Sequence, residues 1–238
     1  MPELLKVQCF MKKKVAIFDI DGTIFRSSLL IELTDALVQE GIFSLKVRKA
    51  YNLAYKRWLD RKGPYEDYIE AVVKVFKKNI KGVRRKDFSK ISKKVVAFHK
   101  NRVYRYSRDM IEDLKKKNYY LLAISHSPQM IVKEFCQKLG FDKVYGQIYE
   151  VNAGGKFTGK ISYLELIADK SEILKRAVSK ENLTLLGSIG VGDTESDIAF
   201  LKMVERPICF NPNKKLFQRA KKSGWEVVVE RKDVIYFI

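Results

Sequence analysis

The stretch Val15-Ala-Ile-Phe-Asp-Ile-Asp-Gly-Thr23 constrains this chain more than any other. An apolar run that reads as a buried strand stops at two carboxylates one residue apart, Asp19 and Asp21. Gly22 then turns the chain, and Thr23 supplies a hydroxyl. Side chains alternate along a strand, so the two acids point the same way if the strand continues. At a strand's carboxyl end they can instead converge on one cation, Asp19 by its side chain and Asp21 partly by its backbone carbonyl. Two like charges this close repel, and a hard divalent cation relieves them. Mg²⁺ takes one or two carboxylates together with waters and phosphate oxygens. Taken alone, the pair also fits an acidic turn that closes a strand.

Beyond Thr23 the apolar residues recur at helical spacing. Residues 27–41 align Leu30, Leu33, Leu37 and Val38, and 44–62 align Leu45, Ala50, Leu53, Ala54 and Trp58. Two more helices are predicted over 65–78 and 85–102, which makes a four-helix insert. The chain then alternates: helix 104–117, strand 119–125, helix 128–139, hairpin 144–161, helix 165–179 and strand 183–190. Helix 195–202, strand 206–210, helix 213–223 and strand 225–230 complete it. This pattern predicts an α/β protein: a doubly wound, mainly parallel Rossmann-like sheet built from residues 1–25 and 103–238, with an all-helical cap inserted at 26–102. Ligands of such sheets bind beyond the carboxyl ends of the strands. Asp19, Ser125 and Asp193 each follow an apolar strand at that end.

Three further segments carry chemistry. Ser125 ends the strand in Leu121-Leu-Ala-Ile-Ser-His-Ser-Pro128, and Lys170 opens a helix in Ala168-Asp-Lys-Ser-Glu172. Gly190-Val-Gly-Asp-Thr-Glu-Ser-Asp197 is an acidic loop after the strand 183–190. Singly, each has a plain reading. Ser125 fits a cap for the helix near Pro128, and Lys170 fits a solvated helix lysine, with Lys156 and Lys160 as rivals. Asp193 and Asp197 fit acids at a helix N-terminus, and Glu195 fits a solvated acid. In this order, however, the four segments resemble the four motifs of the haloacid dehalogenase superfamily. They are closest to subfamily IB, which includes phosphoserine phosphatases, and the hairpin with Gly154-Gly155 at its tip is similar as well.

The resemblance implies an Mg²⁺-dependent phosphatase. In it Asp19 is the nucleophile that forms an aspartyl-phosphate, and Asp21 is the general acid and base. Ser125 with nearby backbone N–H groups and Lys170 bind the phosphate. Asp19, Asp21 and Asp193 hold the metal, Asp197 orients Lys170 or a water, and Gly22 and Thr23 support the loop. Phosphoserine phosphatases usually carry a glutamate nine residues after the nucleophile, where Ser28 stands here; Glu32 is about one helical turn out of register. Arg26 points to a substrate of different charge, and His126 occupies a position usually held by a small residue. Arg26, Ser28 and His126 are therefore the candidates for substrate selection, while His99 reads as structural. The expected activity is hydrolysis of a small metabolite's phosphomonoester. The alternatives are a phosphoserine phosphatase proper, a nucleic-acid-end phosphatase, and a non-catalytic phosphate-binding module.

Nucleic acid enters because of charge. The chain carries a formal +19, and residues 26–102 contribute 20 Lys or Arg against 8 Asp or Glu. A solvated lysine-rich helical surface accounts for this without a polyanionic partner, and no RNA-binding signature accompanies it. Cys9, Cys136 and Cys209 form no C-x-x-C pair, which disfavours a disulfide framework or zinc site. No segment approaches the roughly 20 apolar residues of a membrane helix, and residues 1–6 lack the pattern of a signal peptide. The expectation is a cytoplasmic protein without a membrane partner; nothing in the sequence fixes an oligomeric state.

Overall fold

The computed structural model describes residues 12–238; Cys9 and residues 1–6 lie outside the described residues. At its centre is β1 (Lys13–Phe18), flanked by β2 (Tyr120–Pro128) and β5 (Leu183–Gly192). The sheet has eight strands in the order β4-β3-β2-β1-β5-β6-β7-β8. The outer members are β3 (Lys143–Val151), β4 (Phe157–Ser162), β6 (Arg206–Phe210), β7 (Glu226–Arg231) and β8 (Val234–Phe237). All pairings are parallel except the two edge hairpins, β3–β4 and β7–β8. Helices cover both faces, so the inner strands read as unbroken apolar runs rather than alternating ones. Ala16 and Phe18 of β1 pack toward one core, while Val15 and Ile17 pack toward the other. Leu121 and Ala123 of β2 divide from Leu122 and Ile124 in the same way.

The insert comprises α1 (Leu29–Gln39), α2 (Lys46–Leu59), α3 (Tyr65–Asn79) and α4 (Arg85–His99). The chain enters and leaves it through a two-strand bridge: Phe25 pairs with Val103, Arg26 N donates to Arg102 O at 2.9 Å, and Tyr104 N donates to Ile24 O at 2.9 Å. The apolar core runs unbroken from these helices to the sheet, which the pattern of a small separate bundle does not anticipate. Edge-to-face aromatic pairs mark its course: Phe76–Phe88 at 6.3 Å, Phe88–Phe157 at 5.1 Å and Phe25–Phe135 at 5.4 Å. The β3–β4 hairpin also clasps the α3–α4 turn, with Gly82 N and Val83 O both bonded to Phe157 and Arg85 N donating to Gly155 O.

The remaining helices are α5 (Arg105–Lys116), α6 (Gln129–Leu139), α7 (Leu164–Ala168), α8 (Lys170–Lys180), α9 (Ile198–Leu201) and α10 (Lys214–Ser223). Three local features depart from the sequence pattern. The helix expected over 165–179 breaks at Asp169, whose extended backbone (φ −120°) restarts the chain as α8 and whose carboxylate caps Ser171 N at 2.8 Å. The helix expected from 195 opens as a single 3₁₀ turn, Glu195–Asp197. Strand β8 has no counterpart in the pattern, because four mostly exposed residues carry too little periodicity to register. Among the described residues, no helix is long and apolar enough to cross a membrane.

Candidate active site

The chain builds outward from β1 through β2, β3 and β4, then crosses back to lay β5 on the other side of β1. The crevice beyond β1 and β5 is thus the point where strand order reverses, the usual ligand position in an open α/β sheet. Asp19 follows β1 directly, its N–H donating to Val191 O at 2.9 Å, and Asp193 follows β5 directly. Residues 174 positions apart therefore meet because two parallel neighbours end together.

Lys170, the first residue of α8, reaches into this crevice. It is 2 % exposed and donates to Asp19 Oδ1 at 2.5 Å and to Asp197 Oδ1 at 2.6 Å. Burial opposes its charge, but Asp19 and Asp197 outweigh that cost and hold it protonated above the ordinary lysine range. The break at Asp169 starts α8 at this lysine, with extended backbone between it and α7. Asp197 is fully committed: its second oxygen accepts Asp193 N and Thr194 N, each at 3.0 Å. Gly192 admits this packing, because a Cβ there would lie 2.6 Å from the Asp197 carboxyl group.

Asp21 faces a different set of partners. Leu29 N donates to its Oδ1 at 2.5 Å, and the Ser125 and Ser127 hydroxyls both donate to its Oδ2 at 2.8 Å. Burial nonetheless raises its pKa above the usual carboxylate range, against these donors. The carboxylates that do converge are those of Asp19, Asp193 and Asp197, with one oxygen from each lying within 4.8 Å of the others, a grouping able to hold a metal. Asp21's side chain stands outside that grouping. Ser127 is a site residue the sequence reading missed. Its signal was the two-residue alternation of a strand that runs on to Pro128, which puts Ser125 and Ser127 on one side.

The acids outnumber the cation, and their titration reflects it. Asp19 is pushed up to about 7, by burial first and then by Asp197 and Asp21, with Lys170 acting in the opposite sense. Asp193 is raised well above the ordinary range by burial and by Asp19. Hard oxygen donors carrying excess buried negative charge suit a hard divalent cation. Asp197 already accepts Lys170, Asp193 N and Thr194 N, so Asp19 and Asp193 are the less committed side chains of the three. Gly22 sits against Asp193: with φ +85° it occupies the left-handed region, and a Cβ there would lie 2.0 Å from Asp193 Oδ2. Gly22→Ala is expected to fold but to displace Asp193. Calorimetric titration should show Mg²⁺ affinity reduced by about ten- to a hundredfold, the scale of disturbed metal-site support.

The other expected residues are dispersed. Thr23 is buried with no partner for its hydroxyl among the described residues, while its carbonyl accepts Ser107 Oγ at 2.6 Å. His126 is an exposed residue of β2. Glu195 bonds Lys215 and Asn213. Arg26 lies over the Tyr104 ring and lines a cavity of about 560 Å³ between the helical insert and the strand ends; Gly22 and Asp193 line it too. Ser28 does not: it is 4 % exposed at the start of α1, and its neighbour Ser27 lines the cavity instead. Ser28→Glu would bury a carboxylate away from the cavity. Its expected result is a Tm fall of roughly 5 °C or more, with no gain in phosphoserine hydrolysis.

Buried acids, a lysine and serines gathered at the switch point of a doubly wound sheet mark an enzyme that works at its strand ends. Residues 16–202 match the family described as haloacid dehalogenase-like hydrolase. The chain belongs to that family of hydrolases and is an enzyme. It is 24 % identical to a phosphoserine phosphatase of Methanocaldococcus jannaschii, over 94 % of this chain and 95 % of that one. It is 22 % identical to a histidinol-phosphatase of Neisseria meningitidis serogroup C (strain 8013), over 91 % and 98 %. A solved structure described as a phospho-aspartyl intermediate analogue of phosphoserine phosphatase superposes with a TM-score of 0.60 at 24 % identity, over 93 % and 95 % of the chains.

Proposed function

We propose that the protein is an Mg²⁺-dependent phosphatase that hydrolyses a small molecule's phosphomonoester through an aspartyl-phosphate on Asp19. The observation that carries this reading is the state of Asp19. Lys170 fixes its Oδ1, while among the described residues its Oδ2 has no protein donor and is left to act as nucleophile. Asp19 Oδ2 attacks phosphorus in line, and the bond to the leaving alkoxide breaks as that oxygen takes a proton from Asp21. A water then gives its proton back to Asp21 and attacks the same phosphorus, which releases inorganic phosphate and restores the Asp19 carboxylate. Burial of Asp21 favours the protonated form this needs, and Ser125 and Ser127 hold its carboxyl group in place.

Lys170 offsets negative charge on Asp19 and on the incoming phosphate, and Asp197 holds the lysine there. Asp19 and Asp193, with the Asp21 carbonyl, would hold Mg²⁺, which when bound supplies positive charge to the phosphate oxygens. Residues 26–102 act as a cap that closes over the strand ends and excludes water. The test is hydrolysis of acetyl phosphate and an aryl phosphate by purified protein. EDTA is expected to abolish turnover and Mg²⁺ to restore it, whereas Ca²⁺ supports it poorly because its looser, larger coordination shell can also claim the attacking oxygen. Full activity in chelator would overturn the metal's role.

A further inference from the structure

The cavity that opens from Gly22 and Asp193 has a distinctive outer wall. Tyr65 is the aromatic residue next to the acids: its hydroxyl is held protonated by burial and then by the charges of Asp21 and Asp193. Trp58 lies 5.3 Å from Tyr65 between ring centres, and Tyr55 lies 6.1 Å beyond Trp58. Tyr68, buried but also lining the cavity, stacks on Trp58 at 5.8 Å with the planes inclined by only 19°. Tyr55, Trp58 and Tyr65 are only half-buried, and all three line the cavity. Three adjacent aromatic residues left partly open inside a cavity make an apolar surface that lacks a partner among the described residues.

The cavity's charges are matched in a way that narrows the choice of partner. Glu32 accepts Arg102 at 2.6 Å and Ser27 Oγ at 2.8 Å and lies 3.2 Å from His99 Nε2. Asp35 accepts the Tyr51 hydroxyl and lies 4.0 Å from Arg48. Neither acid is left over to pair with a substrate ammonium group. Arg26, which forms no ion pair among the described residues, is the cation close to the catalytic loop. A guanidinium near the phosphate end and a π surface farther out fit a ligand with an anionic head and a flat body.

Building on the phosphatase reading, we propose that the substrate is a phosphomonoester of an alcohol bearing an aromatic or heteroaromatic ring, which packs on Tyr55, Trp58 and Tyr65 while its phosphate sits at Asp19. A stacked ring changes affinity by about five- to 150-fold, enough to dominate selection among esters with the same reacting group. Nucleoside 5′-monophosphates and simple arylalkyl phosphates share this chemistry.

The experiment compares kcat/KM for acetyl phosphate, glycerol phosphate, O-phosphoserine, 2-phenylethyl phosphate and the nucleoside 5′-monophosphates, using wild type, Trp58→Ala and Trp58→Phe with Mg²⁺ present. Wild type should favour at least one ring-bearing arm over phosphoserine and glycerol phosphate by about tenfold or more; which arm wins separates the nucleotide from the arylalkyl source. Trp58→Ala should lose that preference, chiefly through KM, and Trp58→Phe should regain most of it. Tryptophan fluorescence of Asp19→Asn protein should be quenched by the preferred ester and not by glycerol phosphate. Equal wild-type efficiency on ring-bearing and aliphatic esters would overturn the inference, as would a proportionate loss on every substrate in Trp58→Ala. If acetyl phosphate is hydrolysed in an Asp19-dependent manner without ring preference, only this inference falls. If no substrate is turned over, the phosphatase reading falls and takes the inference with it.

Discussion

Asp19→Asn protein is expected to lose hydrolysis of acetyl and aryl phosphates on the order of 10⁴-fold or more while keeping its fold. Losses of that size follow removal of a covalent nucleophile, because binding and electrostatics alone retain only a small residual rate. The substitution preserves shape and a hydrogen-bond acceptor toward Lys170, which keeps Asp197 as its charged partner. It also removes one of the carboxylates that raise each other's pKa. Tm measured alongside activity should therefore move by no more than a few degrees, and in metal-free protein it should not fall with the charge removed. Activity within tenfold of wild type would end the covalent mechanism; a large Tm loss would show that Asp19 is structural first.

Lys170→Met is expected to damage both activity and stability. The lysine is the buried cation between Asp19 and Asp197, so its loss leaves two buried carboxylates facing each other without compensation. Breaking a buried pair in this way costs about 3–5 kcal/mol, which for a chain of this size corresponds to a Tm fall of roughly 6–20 °C. The fall should depend on pH. Asp19 already has a folded pKa of about 7 against an ordinary 3.8, so between these values the folded state holds a proton that the unfolded state has released. Stability contributed by such a group declines as pH rises from about 4 to about 7. Without Lys170 the Asp19 carboxyl group is still harder to ionise, so the variant's deficit should be largest near pH 8 and shrink toward pH 5. Differential scanning calorimetry across that range in EDTA measures it. A deficit independent of pH would assign the loss to packing rather than charge.

Much of this protein was legible in one dimension. The run Val15–Phe18 had to be a buried strand because it offers no polar face, and the alternation of such runs with helical periods leaves few options besides a parallel sheet covered on both sides. Asp19, Lys170, Asp193 and Asp197 could be named because their four segments follow one another in the order of the family they resemble; singly, each also fits an ordinary turn, cap or solvated position at a strand or helix end. Local pattern also placed the four helices of the insert, whose core faces repeat every three or four residues.

Only the tertiary structure decided how these groups share their work. Asp21 is one residue from Asp19, yet its carboxylate belongs to Ser125, Ser127 and Leu29, while Asp197, from another strand's end, joins Asp19 through Lys170. Hydrogen-bond partners from four separate elements set that choice, and no sequence spacing encodes distances between them. Ser28, Ser27 and Glu32 show the same limit: a shift of one residue at the start of α1 exchanges a buried position for one that lines the cavity. Trp58 falls on the apolar face of its predicted helix, yet periodicity reports only that a face is apolar, not whether another helix or open space lies against it. Which side chains stay half-open is settled by how α2 and α3 pack together beside the strand ends, where Tyr55, Trp58 and Tyr65, all more than 30 residues beyond Thr23 in the chain, line one cavity with Gly22 and Asp193.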